Sequence, residues 1–214
     1  MNTKKIRQLA NSIVLSQKQR EVLVGILLGD GHLETRNKGR TYLLRIEHSI
    51  NQKDYVKWQY EIFKNLVLTK PHVKIQTIGN VEYQKYWFWT IGTGAFRYYG
   101  QKFYENRKKI VPNDIAKMVT PLSLAVWFMD DGSLKSNLHR ARIFNTQGFD
   151  DQSIQRLQDM FLRKFRIQTI LRKQKEGMQI YIPSSEIHTF IPMIRPFIIP
   201  SMEYKVMVNN MHKQ

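Results

Sequence analysis

Residues 23–31 read LVGILLGDG and residues 124–132 read LAVWFMDDG. Each string is an apolar run of helix length closed by an acid and a glycine, and the copies lie nearly half the chain apart. A repeat of that period makes the chain two copies of one supersecondary unit, and no other feature of the sequence restricts the architecture as much. The segments after each copy repeat as well. A basic, polar-rich segment turns to strand-like alternation at residues 42–47 and 139–144, and helical patterns come after it at 54–66 and 151–165. Two further strand-like runs come next, 73–78 with 86–91 and 169–173 with 179–182, and helices near 95–104 and 185–194 close the halves. The expectation is an α+β fold: helix, two strands, helix, two strands, helix, given twice. Residues 1–107 form the first repeat, 108–120 a linker and 121–214 the second.

Local chemistry supports the two motif helices. Ser16-x-x-Gln19 has the form of a capping box, while Thr120-Pro121 offers an N-cap and an N1 proline. Gly31 and Gly132 are expected to stop the helices as left-handed C-caps. Asp30, Asp130 and Asp131 then face the negative ends of helix dipoles, which costs about 0.3–1 kcal/mol each. A hard divalent cation such as Mg²⁺ would offset that cost, since it takes carboxylate oxygens together with water and phosphate. Gly25 and Gly29, with Ala125 in the second motif, would let the helices approach closely. One acid–Gly helix stop is ordinary; two in matched contexts point to chemistry.

Composition names the partner class. The chain has 34 Lys and Arg against 17 Asp and Glu, a net charge of +17. Phosphate is the usual counterpart of such an excess, because counterion release offsets the self-repulsion. The basic residues are spread along the chain, which speaks against a membrane surface. With no cysteine, disulfides, thiolate zinc sites, iron–sulfur clusters and thiol nucleophiles are excluded. The histidines lack metal-ligand spacing, and neither a phosphate-binding G-x-x-x-x-G-K-[ST] loop nor a G-x-S-x-G elbow occurs. The N-terminal stretch is neither a signal peptide nor a spanning helix. Organellar and bacterial cytoplasmic locations both stay open.

The two strings resemble the paired LAGLIDADG motifs of homing endonucleases, and TPLSLAVWFMDDGSLK is the closer match. KKIVPND (residues 108–114) and IIPSMEYK, ending at Lys205, resemble further strings of the single-chain, intron-encoded branch. The resemblance implies αββαββα units with the motif helices packed at the centre and two saddle-shaped antiparallel sheets astride a DNA duplex. It implies a monomer that hydrolyses both strands of a long asymmetric target with Mg²⁺, or Mn²⁺ in its place. Asp30 and Asp131 would be the catalytic, metal-binding acids, and the carbonyls of Gly29 and Asp130 further metal contacts. Lys109 and Lys205 would be the basic partners, with Lys108 an alternative to the first. Gln147, in FNTQGF, would line the site, matched in the first half by Ile50 or Asn51.

Strand alternation proposes Arg36, Lys38, Arg40, Lys74 and Gln76 as DNA contacts in the first half. In the second it proposes Lys135, Asn137, His139, Arg140, Arg142, Arg172 and Gln174. Trp58, Trp87, Trp89 and Trp127 are assigned to the core, since a duplex offers no unstacked base. The competing reading is an intron RNA maturase, or a nucleic-acid-binding protein of the same fold that never cuts. A helix-turn-helix regulator fits the strand-rich halves poorly.

Overall fold

A computed structural model describes residues 3–136 and 139–207. In chain order its first elements are α1 (Thr3–Ser12), α2 (Gln17–Leu28), β1 (His32–Glu34), β2 (Leu43–Ser49), α3 (Lys53–Phe63), β3 (His72–Ile78), β4 (Val81–Trp89) and α4 (Arg97–Phe103). A ribbon of β5 (Tyr104–Glu105) and β6 (Lys108–Lys109) and a short α5 (Ile115–Met118) come next. The second series is α6 (Pro121–Asp131), β7 (Gly132–Ser136), β8 (His139–Phe144), α7 (Asp151–Phe165), β9 (Ile170–Gln174), β10 (Gly177–Ile182) and α8 (Ile187–Ile194). From α2 to α4 and from α6 to α8 the order is αββαββα, as the repeat predicts. Contacts divide the chain into two units, Met1–Leu23 with Asp30–Gln101, and Val24–Gly29 with Lys102–Gln214.

The first unit is a sheet of order β1-β2-β4-β3, antiparallel throughout. In β2 the residues alternate: Leu44, Ile46 and His48 are buried, while Leu43, Arg45 and Glu47 are partly exposed. The buried set faces α3, whose Tyr55, Val56 and Phe63 cover it. Ile46 pairs with Phe88 of β4, and both are closed to solvent, each contributing roughly 2–3 kcal/mol by burial. The capping box forms: Gln19 N–H donates to Ser16 Oγ at 3.2 Å and Ser16 N–H to Gln19 Oε1 at 2.9 Å. Phe88 occupies the inward position of β4, so its neighbours Trp87 and Trp89 point outward and Trp89 is 38% exposed. The core assignment therefore fails for those two tryptophans, while Trp127 is fully buried.

The second unit has the same plan, with sheet order β7-β8-β10-β9. Phe144 of β8 is the hub of its core, 4.1 Å from Trp127, 5.3 Å from Phe128 and 5.6 Å from Phe161 between ring centroids. Helix α6 is capped by Thr120 with Pro121 at its start, and every residue from Leu122 to Met129 is buried. A helix apolar on all sides belongs in an interior. The end of α2, Val24–Gly29, lies against it. A Cβ at Gly25 would come 2.6 Å from Val126 Cβ, and one at Gly29 2.5 Å from Asp130 Cβ. Only glycine permits that approach.

Gly132 departs from expectation. Its backbone is extended at φ −77° and ψ 145° because it opens β7 at once. Neither it nor Gly31 has a positive φ, so neither is a left-handed cap. Glycine is required at 132 for space, since a Cβ there would meet the Phe128 ring. Helix α1 and the β5–β6 ribbon also lie outside the sequence reading. The ribbon turns at Asn106 and Arg107, both with positive φ, a combination that suits a tight hairpin.

Candidate functional site

In the first unit, Asp30 comes just after the end of α2 and its carboxylate is 52% exposed. The Nδ1 of His48 lies 3.6 Å from Asp30 Oδ2, and the imidazole is only 3% exposed, held against the Tyr55 ring at 5.1 Å. Asp30 and His48 line a cleft of about 380 Å³ together with Arg45, Glu47, Gln52 and Lys85. A search for histidine spacings misses His48. The signal it carries in the sequence is its inward phase in β2.

In the second unit, Asp131 is the last residue of α6. Its carbonyl accepts from the backbone N–H of Asn145 at 3.1 Å and from Asn145 Nδ2 at 3.0 Å. Gln179 Nε2 donates to Asn145 Oδ1 at 2.8 Å and holds the amide in place. The side chain that reaches the Asp131 carbonyl is thus Asn145, two positions before Gln147.

The lysines named by the matching strings occupy equivalent places. Lys109 Nζ donates to the carbonyl of Gly29 at 2.6 Å, and Lys205 Nζ to those of Met129 at 2.5 Å and Asp130 at 3.1 Å. Gly29 and Asp130 each precede a motif acid, so both lysines cap the last turn of a motif helix, where carbonyls lack helical partners. Lys108 and Lys109 are successive residues of β6 and point to opposite faces; Lys109 is the one that reaches Gly29. Lys205 is 7% exposed, in a 3₁₀ segment, Pro200–Lys205.

Arg142 corrects the list of DNA contacts. It is closed to solvent, and its guanidinium donates to the carbonyls of Lys205 at 3.2 Å, Val206 at 3.1 Å and Arg140. Burial lowers its pKa. In the β8–β10 register Arg142 pairs with Ile182 and Phe144 with Ile180, which puts Arg142 on the core side. Its work is to tie down the segment that carries Lys205. Asn137 lies outside the described residues.

The other candidates are on the surface. Arg36, Lys38 and Arg40 lie in the loop between β1 and β2, with Lys38 in the left-handed region at φ 57°. Lys74 and Gln76 share the outward face of the first sheet, opposite Lys85 and Tyr83. His139, Arg140 and Gln174 are exposed. Arg172 lies 3.6 Å and Lys135 6.0 Å from the centre of the Tyr181 ring, both as cation–π contacts. Arg45, Glu47 and Lys85, which are not among the sequence candidates, lie on the same outward face of the first sheet. Burial pushes the Glu47 carboxyl up, and hydrogen bonds from Lys74, Lys85 and Arg45 more than reverse it, to about 2.

An acid closing each motif helix, a lysine on the carbonyl before it, and a sheet face rich in cations in each unit together define a phosphodiester hydrolase of αββαββα architecture. The sequence profile of the LAGLIDADG DNA endonuclease family matches residues 20–190, and the chain belongs to that family. It is 31% identical to the probable intron-encoded endonuclease 1 of Wickerhamomyces canadensis over 91% of this chain and 86% of that one. It is also 31% identical to the DNA endonuclease I-ChuI of Chlamydomonas applanata, covering 92% and 97% of the two chains. Among solved structures, the homing endonuclease I-WcaI bound to its DNA recognition sequence superposes with a TM-score of 0.91 at 29% identity, over 97% of this chain and 94% of that one. Among the described residues, no helix is long and apolar enough to cross a membrane.

Proposed function

We propose that this DNA endonuclease acts as a monomer and cuts both strands of one long, asymmetric duplex target, using Asp30 and Asp131 as its metal-binding acids. The observation that carries the reading is the matched placement of Lys109 and Lys205 on the carbonyls preceding those acids. The donor set suits a hard cation: carboxylate oxygens at helix C-termini, where the dipole is negative, favour Mg²⁺, and Mn²⁺ accepts the same ligands. A carbonyl has two lone pairs, so a lysine on Gly29 or Asp130 does not by itself exclude an ion there. When bound, the cation supplies Lewis-acid activation of water and phosphate.

The chain's own residues do the rest. Lys109 and Lys205, anchored by carbonyls, present positive charge that stabilises the transition state of the attacked phosphate. Asn145, steadied by Gln179, orients the end of α6, and Gln147 is assigned to the site by the resemblance of FNTQGF alone. Lys and Arg of the loops and outward sheet faces contact phosphates and bases.

The test is a plasmid carrying the uninterrupted form of the gene's insertion locus, incubated with Mg²⁺. Linear product is expected from the wild type. Asp30→Asn and Asp131→Asn should each abolish double-strand cleavage while gel-shift affinity is retained. Normal cutting by either variant would overturn the assignment, and a wild type that binds without cutting would favour the maturase or non-cleaving reading.

A further inference from the structure

On the outward face of the first sheet, Glu47 lies in the cleft that Asp30 and His48 also line. Lys74 of β3 and Lys85 of β4 are direct cross-strand partners, a like-charge pairing that is unfavourable alone. Glu47, one rung away and opposite Trp87, takes both: Lys85 Nζ lies 2.9 Å from Oε1 and Lys74 Nζ 2.9 Å from Oε2. Arg45 donates to the same Oε2 at 3.2 Å and, through its other terminal nitrogen, to Glu34 Oε1 at 3.2 Å. Its guanidinium stands 5.1 Å from the centre of the Trp87 ring. Two carboxylates and an indole thus hold a side chain that is otherwise among the most mobile.

A carboxylate accepting three charged donors has little capacity left for a base, since it offers about four lone-pair positions. The cations keep theirs. Arginine has five N–H donors and lysine three, and the acceptors such donors match in the major groove are guanine O6 and N7.

We propose that Glu47 is a positioning residue for sequence recognition: it fixes Arg45, Lys74 and Lys85 as one rigid donor set that reads guanines in the half of the target facing this sheet. The inference rests on the DNA-cutting function above and adds what one surface reads. With a carboxyl pKa of about 2, the network stays ionised wherever DNA is bound. In a mobile arrangement the same cations would contact phosphate indiscriminately; held together, they make base contacts at low entropic cost.

The experiment is selection from a library of fully randomised duplexes by the full chain in EDTA, followed by sequencing, for the wild type and Glu47→Gln. The wild type is expected to enrich guanines at neighbouring positions. Glu47→Gln should lose about tenfold of that preference at each of them, keep its preferences elsewhere, and bind non-specific duplex as tightly or more so. Lys85→Gln should relax the same positions and leave the others intact, and a cooperative melt well above the binding temperature in both variants excludes a folding defect as the cause. An unchanged guanine preference in Glu47→Gln overturns the proposal, as does loss confined to one cytosine, the mark of direct reading by Glu47. A wild type that enriches no sequence sinks the DNA-cutting reading itself.

Discussion

Gly25→Ala puts one methyl group at a close contact between the end of α2 and α6 in the second unit. The new Cβ would lie 2.6 Å from Val126 Cβ and 2.9 Å from Val126 Cγ1, and would also meet the Ser123 carbonyl. Two of those three atoms are fixed to the α6 backbone, so no rotamer change relieves the overlap and the helices must separate. Overpacking costs about 1–3 kcal/mol. The Ser123 carbonyl oxygen is nearer still to the new Cβ, so the upper part of that range, about 2–3 kcal/mol, applies; replacing a helical glycine by alanine returns about 1 kcal/mol. The net destabilisation should be about 1–2 kcal/mol. For a chain of this size that lowers Tm by roughly 2–8 °C, within reach of scanning calorimetry. Gly148→Ala is the control, because nothing lies within 4 Å of its Cβ position; its Tm should stay or rise slightly. If Gly25→Ala melts at or above the wild type, the close approach of Val24–Gly29 to α6 is wrong.

Two more outcomes are expected. Lys109→Met should slow cleavage about 100-fold or more, as loss of a transition-state donor does, whereas Lys108→Met, on the opposite face of β6, should stay within about twofold; equal effects in single-turnover assays would refute the geometric distinction. The Glu47 network should also add pH-dependent stability. The carboxyl pKa falls from 4.5 to about 2 on folding, so its contribution is complete above about 4.5 and is lost as pH drops towards 2. It amounts to at most about 3 kcal/mol. Urea melts of wild type and Glu47→Gln should therefore converge at low pH, and a constant gap would be contrary evidence.

Local signals are legible wherever short-range chemistry decides. Ser16 and Gln19 form the box their spacing announces, Thr120 and Pro121 open α6, and residues 151–165 are helical because their apolar positions recur at helical spacing and Asp150 caps Ser153 N–H at 2.7 Å. The misreading of Arg142 has a simple cause. Alternation shows that a strand has two faces but not which face meets the core. It therefore assigns Arg142 to the DNA side although the register with Ile182 turns that residue inward. Trp87 and Trp89 are assigned to the core because a duplex offers no unstacked base to stack on, although Phe88 holds the inward place on β4.

By itself, the sequence determined the duplicated αββαββα plan, the two motif acids and a polyanionic partner, because periodicity, helix-end chemistry and net charge are properties of a chain before it folds. Tertiary structure alone decided which lysine of Lys108 and Lys109 reaches Gly29. It also brought His48 to Asp30, and joined Glu47 to Lys74, Lys85 and Arg45. Those choices depend on register and on contacts between residues remote in the chain, and a difference of one position along a strand reverses the face on which a side chain stands.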